Sequence, residues 1–133
     1  MSAHGLDPAD LDQDGLAVRR EVLGADHVAG SLARADATTA EFQQLITRYA
    51  WNEIWTRPGL DRRMRSAVTL TALVAHGHWN EFEMHVRAAR RNGLTGEEIV
   101  EILLQTAIYC GVPAANSAFA IAQRVLAEPA PAD

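Results

Sequence analysis

At 133 residues and 48% hydrophobic content, the chain is long enough for one domain with a buried core, and it has no apolar run of the roughly 18 residues that a membrane span needs. A formal charge of −5 argues against a general nucleic-acid binder, and the first ten residues lack the basic-then-apolar order of a secretory signal. The lone cysteine, Cys110, rules out an intramolecular disulfide and suits a reducing cytoplasm. All twelve basic residues are Arg, and eight of them fall between Arg48 and Arg91, where only four acids stand. The planar guanidinium fork binds both oxygens of a carboxylate, so the cluster points to a small anionic ligand.

The pattern is helical throughout. A weakly amphipathic helix is predicted from about Asp7 to Val22, interrupted by Gly24, with a short second segment to Ala33. Thr38-Thr39-Ala40-Glu41 fits a capping box that opens a helix to about Trp55, with Phe42, Leu45, Ile46 and Tyr49 at helical spacing. Arg57-Pro58-Gly59-Leu60 breaks that helix, and Asp61 sits where a helix start favours an acid. The next helix, to about Ala75, is more apolar (Met64, Ala67, Val68, Leu70, Leu73, Val74) and is expected at the centre of the fold. After His76-Gly77-His78 a helix continues to about Arg91, where Asn92-Gly93 stops it. Thr95-Gly96-Glu97-Glu98 is a second capping box, opening a helix through Ile99, Ile102, Leu103, Thr106 and Ala107. Gly111-Val112-Pro113 breaks it, and a last helix is expected from about Ala114 to Ala127. No strand pattern appears. The expected fold is therefore all-α, one helical bundle of about six helices over residues 1–127, with a disordered Pro- and Ala-rich tail at 128–133.

Projecting residues 78–92 at about 100° per residue puts Asn80, Glu83, Arg87, Arg90 and Arg91 on one side. The other side takes His78, Trp79, Glu81, Phe82, His85, Val86, Ala88 and Ala89. Glu81 and His85 then lie one turn apart, on or beside the apolar face. A carboxylate there would favour the protonated imidazole and fix its orientation, giving a pair able to move a proton in a dry pocket. The same spacing also fits a structural pair closing the core or an interface. A third reading takes His78, Glu81 and His85 as metal ligands, although the spacing is not a standard zinc signature.

Three stretches carry a resemblance. One is Ile46-Thr47-Arg48-Tyr49-Ala50-Trp51 with Ile54-Trp55-Thr56-Arg57-Pro58-Gly59-Leu60, followed by Arg62 and Arg65-Ser66. The second is His85-Val86-Arg87-Ala88-Ala89 with Asn92-Gly93, and the third runs from Leu104 to Phe119 through Tyr109-Cys110-Gly111-Val112-Pro113-Ala114-Ala115-Asn116. Together they resemble the γ-carboxymuconolactone decarboxylase family, over about Val18 to Val125. The resemblance implies an alkyl hydroperoxidase D-like helical fold and a homo-oligomeric ring, with trimers and hexamers both found in that superfamily. It implies a cofactor-free lyase that converts γ-carboxymuconolactone to β-ketoadipate enol-lactone and CO2 in the protocatechuate branch of aromatic catabolism. The thiol peroxidases of the superfamily carry Cys-x-x-Cys-x-x-x-His. If His85 matches their His, His78 and Glu81 stand at the cysteine positions, so two-thiol redox chemistry is not available within the chain.

In the implied reaction the unsaturated lactone is its own electron sink, so no metal or organic cofactor is expected. The protein must hold the substrate's acetate arm, stabilise the developing enolate and protonate the α-carbon. His85 is the expected proton donor and Glu81 its partner. Arg57, at the mouth of a helix N-terminus, and Arg62 and Arg65, within the first turn or so, are the expected carboxylate binders, each with a surface ion pair as the plain alternative. Cys110 is a candidate substrate contact, with packing favoured over nucleophilic catalysis. Three other functions stay open: a lyase or isomerase on a related carboxylated lactone, a peroxidase-superfamily member, and a non-catalytic helical oligomer.

Overall fold

The computed structural model describes residues 5–131, and among them every regular element is helical. Their contacts gather into two compact units, Met1–Gly59 and Leu60–Asp133.

In the N-terminal unit a 3-10 turn, Pro8–Asp10, precedes α1 (Gln13–Leu23), α2 (Ala25–Ala33) and α3 (Ala40–Ile46), which runs into a π-helical segment, Thr47–Asn52. Asp12 caps α1: its carboxylate accepts from the Gly15 amide at 2.8 Å and from Asn52 Nδ2 at 3.0 and 3.1 Å. These hydrogen bonds, the Gly15 amide first, hold the Asp12 carboxyl below the usual carboxylate range. The tie brings α1 onto the π-helical segment so closely that a Cβ on Gly15 would lie inside contact distance of the Thr47 carbonyl. Only glycine permits that approach. The expected capping box at Thr38 does not form. Thr39 takes the cap position without a side-chain cap bond, and its hydroxyl accepts instead from the Asp36 amide, while Asp36 accepts from the Thr38 amide. The competing turn around Asp36 satisfies these groups locally. Phe42, Leu45 and Tyr49, which stand at helical spacing in the sequence, are exposed.

The C-terminal unit is built from α4 (Arg62–His76), α5 (Trp79–Arg91), α6 (Gly96–Tyr109) and α7 (Val112–Leu126). Its start and stop signals work as the sequence indicates. Asp61 caps α4 by accepting from the Met64 amide at 2.8 Å, Gly77 ends it in the left-handed region, and Thr95 and Glu98 complete a reciprocal capping box. Pro113 does not delay α7; it occupies the first turn, where a missing N–H is tolerated. The core gathers Leu70 and Val74 from α4, Phe82, Val86 and Ala89 from α5, Ile99 and Leu103 from α6, and Ala118, Ala122 and Val125 from α7. Expected at the centre, α4 is buried on one face only, and Met64 and Val68 on its other face are exposed. The seven α-helices among the described residues exceed the expected six because Ala25–Ala33 stands as a helix of its own. Of the tail expected to be disordered, residues 132–133 lie outside the described residues. Its first member, Glu128, accepts from Arg87 Nε at 3.0 Å and Nη2 at 2.7 Å.

Candidate active site

The helix that carries the candidate proton donor is set by its two ends. His78 leads into α5 after the Gly77 turn, and the stacked rings of His76 and His78, 5.6 Å apart, flank that turn. At the other end Asn92 Nδ2 donates to Ser66 Oγ at 2.9 Å, pinning the end of α5 to α4. Between them Phe82, His85, Val86, Ala88 and Ala89 are buried, as the projection requires. His85 is 8% exposed, and among the described residues it is the one titratable side chain buried in this unit.

Glu81 departs from the projection. It is exposed, in the first turn of α5, where no packed element covers it and where an acid complements the helix dipole. The two candidate catalytic residues therefore occupy different surroundings, a buried imidazole and a solvated carboxylate. Nor do His78, Glu81 and His85 form a donor set: among the described residues no three His, Cys, Asp or Glu side chains come together in a way that could hold a metal ion. Arg87, which the projection sets on the side away from Glu81 and His85, pairs with Glu83 at 3.0 Å and with Glu128.

The other candidates divide between the units. Arg57 closes the N-terminal unit and is exposed. In the C-terminal unit Arg62 and Arg65 are half-buried on the first turns of α4. Cys110 caps the end of α6, half-buried and packed against the core cluster, which agrees with a packing role. None of the six lines a groove of about 770 Å³ between α4 and α6, walled by Met64, Val68, Thr71, Ala75, Ile102 and Tyr109. That groove is apolar and open. It continues a surface on which Ile108 is 76% and Tyr109 80% exposed.

Sequence reasoning missed one charged residue altogether. Arg19, in α1, is 4% exposed, and its Nη1 donates to Thr47 Oγ1 at 3.2 Å. Desolvation lowers its pKa. The signal was available: Leu16, Arg19, Val22 and Leu23 share one helical face, so an arginine stood in an apolar stripe.

A family model described as the carboxymuconolactone decarboxylase family matches residues 40–124. The 4-carboxymuconolactone decarboxylase of Acinetobacter baylyi is 45% identical over 113 residues, covering 85% of this chain and 84% of the relative. The nitrosuccinic acid decarboxylase of Metarhizium robertsii is 40% identical over 116 residues, covering 87% of this chain and 81% of the relative.

Proposed function

The chain belongs to the carboxymuconolactone decarboxylase family, and from that membership we propose that it is a carboxy-lyase that releases CO2 from 4-carboxymuconolactone to give β-ketoadipate enol-lactone. The observation that carries this reading is the 45% identity to the Acinetobacter enzyme across most of both chains. The setting is protocatechuate catabolism, in a cytoplasm that suits a lone free thiol.

The chemistry asks little of a cofactor. As the carboxylate at the γ-carbon leaves as CO2, its bonding electrons move through the ring double bond onto the lactone carbonyl. The resulting enolate is quenched by one proton at the α-carbon. His85 supplies that proton as the imidazolium and leaves as neutral imidazole. Its burial supports the role, because a proton donor shielded from water meets the carbanion rather than bulk solvent. Glu81, being solvated, acts as a re-protonation route or a weak polariser rather than as a buried partner. Arg57, Arg62 and Arg65 are the candidates for holding carboxylates, and Cys110 serves packing at the end of α6.

Assembly into a homo-oligomer belongs to the same reading. Leu104, Ile108, Tyr109 and Val112 are all exposed, a contiguous run of apolar side chains at the α6–α7 junction of the kind that subunit interfaces cover.

The second relative favours a second substrate. In nitrosuccinate the nitro group replaces the unsaturated lactone as electron sink, and the rest of the logic is unchanged. The test is to supply freshly generated 4-carboxymuconolactone, and separately nitrosuccinate, to metal-stripped protein and to follow CO2. Release from the lactone without added metal is expected. Release from nitrosuccinate alone would move the assignment to that substrate, and dependence on restored zinc would overturn the cofactor-free chemistry.

A further inference from the structure

The hairpin of α4 and α5 is tied at both ends. At one end the Gly77-His78 turn joins the two helices; at the other, Asn92 Nδ2 donates to Ser66 Oγ at 2.9 Å. Ser66 is 1% exposed, and the other buried residues of α4, Leu70 and Val74, are aliphatic. Apolar contact has no direction, so a seam built from it alone tolerates a small slide or twist of one helix on the other. A hydrogen bond has direction, and fixing register is the best-attested use of a polar group in an apolar seam. The net contribution of such a bond to stability is small, because both groups would otherwise be bonded to water. What the pair supplies is position. The next residue adds a second tie: the Gly93 carbonyl accepts from Arg63 Nη1, so two consecutive residues at the end of α5 are held to the first turns of α4.

This clasp joins the helix of two candidate carboxylate binders to the helix of the candidate proton donor, all within the C-terminal unit. Arg62 stands one turn before Ser66, and Arg65 immediately before it, so both lie at the clasped end of α4. His85 stands seven residues before Asn92, close to two full turns and about 10 Å along the axis. It therefore lies on the side of α5 that Asn92 turns to α4, midway between turn and clasp. We infer that Ser66 and Asn92 are a positioning pair for the decarboxylation. They touch no substrate; they hold the register in which a carboxylate bound at Arg62 or Arg65 brings the α-carbon to the His85 imidazole. The chemistry rests on the lactone reading above, whereas the register of α4 on α5 does not depend on the substrate. Without the clasp each arginine still binds its carboxylate, but the proton donor is misplaced. A misplacement of about 1 Å can cost on the order of a hundredfold in rate, and the loss falls on kcat rather than on KM.

The test compares full-length parent with four variants. Ser66→Ala/Asn92→Leu replaces both polar groups by apolar ones and is expected to melt near the parent. Its kcat for 4-carboxymuconolactone is expected to fall about ten- to hundredfold with KM little changed. Asn92→Ala, which adds no bulk, is expected to show the same split and covers the case in which the double variant does not fold. Asn92→Asp keeps a hydrogen bond with the Ser66 hydroxyl now donating, but sets a carboxylate at a helix C-terminus. It is expected to melt below the parent and yet recover most of the lost kcat. Thr95→Ala removes a cap in the same unit and is expected to lower Tm while kcat, measured well below the melt, is unchanged. Carbethoxylation of His85 by diethyl pyrocarbonate, followed by peptide mass spectrometry, reads the imidazole's surroundings without a substrate. It is expected to quicken several-fold in Ser66→Ala/Asn92→Leu and in Asn92→Ala, and not in Thr95→Ala. A folded variant without the clasp that turns over at the parent rate, or a kcat that tracks Tm across the series, would make the pair structural and overturn the inference. If the parent itself does not act on the lactone, the carbethoxylation rates decide. A change confined to the variants without the clasp keeps the positioning of His85 and removes only the substrate assignment; equal rates throughout overturn both.

Discussion

One arginine of the N-terminal unit and two of the C-terminal unit stand in opposite surroundings. In the N-terminal unit Arg19 is buried against a single neutral hydroxyl, and the capping carboxylate of Asp12 is tied to Asn52 across the π-helical segment. In the C-terminal unit Arg63 and Arg87 lie at the surface, each forked onto a glutamate: Arg63 on Glu98 at 3.1 and 2.5 Å, Arg87 on Glu128 at 3.0 and 2.7 Å. The core beneath them is built from aliphatic side chains and Phe82. Surface pairs of this kind contribute little to stability because water and salt screen them. Paired charge at the surface is thus an ordinary feature of a stable fold, whereas a charge buried against a neutral hydroxyl costs the fold. His85 is the C-terminal unit's own exception, a titratable group inside an otherwise apolar core.

The largest effect expected from this contrast is at that exception. His85→Ala should lower kcat by about 10²- to 10⁴-fold, the usual contribution of a positioned general acid, with KM much less affected. Glu81→Gln should cost far less, since Glu81 is solvated. Both variants must first show native helicity and oligomer size. A folded His85→Ala enzyme that turns over at the parent rate would return His85 to the structural core.

A middle-sized effect sharpens the account of the N-terminal unit. Gly15→Ala drives a methyl into the Thr47 carbonyl and should cost about 1–3 kcal/mol in urea unfolding, the range of an overpacked contact. Gly59→Ala, where a Cβ meets nothing within 4 Å, should fall within about 0.5 kcal/mol of the parent. Equal effects at the two positions would mean that the close approach of α1 to the π-helical segment is not a constraint.

The smallest effects test the surface of the C-terminal unit. Thr95→Ala should cost about 1 kcal/mol as a lost N-cap, and Thr38→Ala close to nothing, because of the two sequence boxes only the one at Thr95 forms. Glu98, bonded first to Arg63 and then to the Thr95 amide, has its carboxyl lowered to about 2. A lowered carboxyl contributes fully above its ordinary value near 4.5, and the contribution fades as pH falls toward about 2. The stability gap between the parent and Glu98→Gln should therefore narrow through that window, and narrow again in high salt. A gap that is constant with pH would detach Glu98 from the acid response.

Much of this was legible in the chain. Helix limits followed wherever the signal is local: Asp61, Gly77, Thr95 with Glu98, and Asn92-Gly93 each act within one turn of where they stand. The buried face of α5 followed from period alone, because Phe82, His85, Val86 and Ala89 must share a side. The Thr38 box misled because a turn at Asp36 uses the same groups, and a linear motif does not show which partner wins. Glu81 misled because a projection assigns a face to every residue, whereas burial in a first turn depends on what covers that turn.

By itself the sequence determined the helical class, the family and the identity of the buried imidazole, since these depend on periodicity and on motifs read along one strand of chain. Only the tertiary structure decided what each charge meets. Arg19, Arg63 and Arg87 are chemically the same side chain; packing across tens of residues gives the first a hydroxyl in a dry interior and the others carboxylates in water. That difference arises because desolvation and pairing depend on distances through space, which no local pattern encodes.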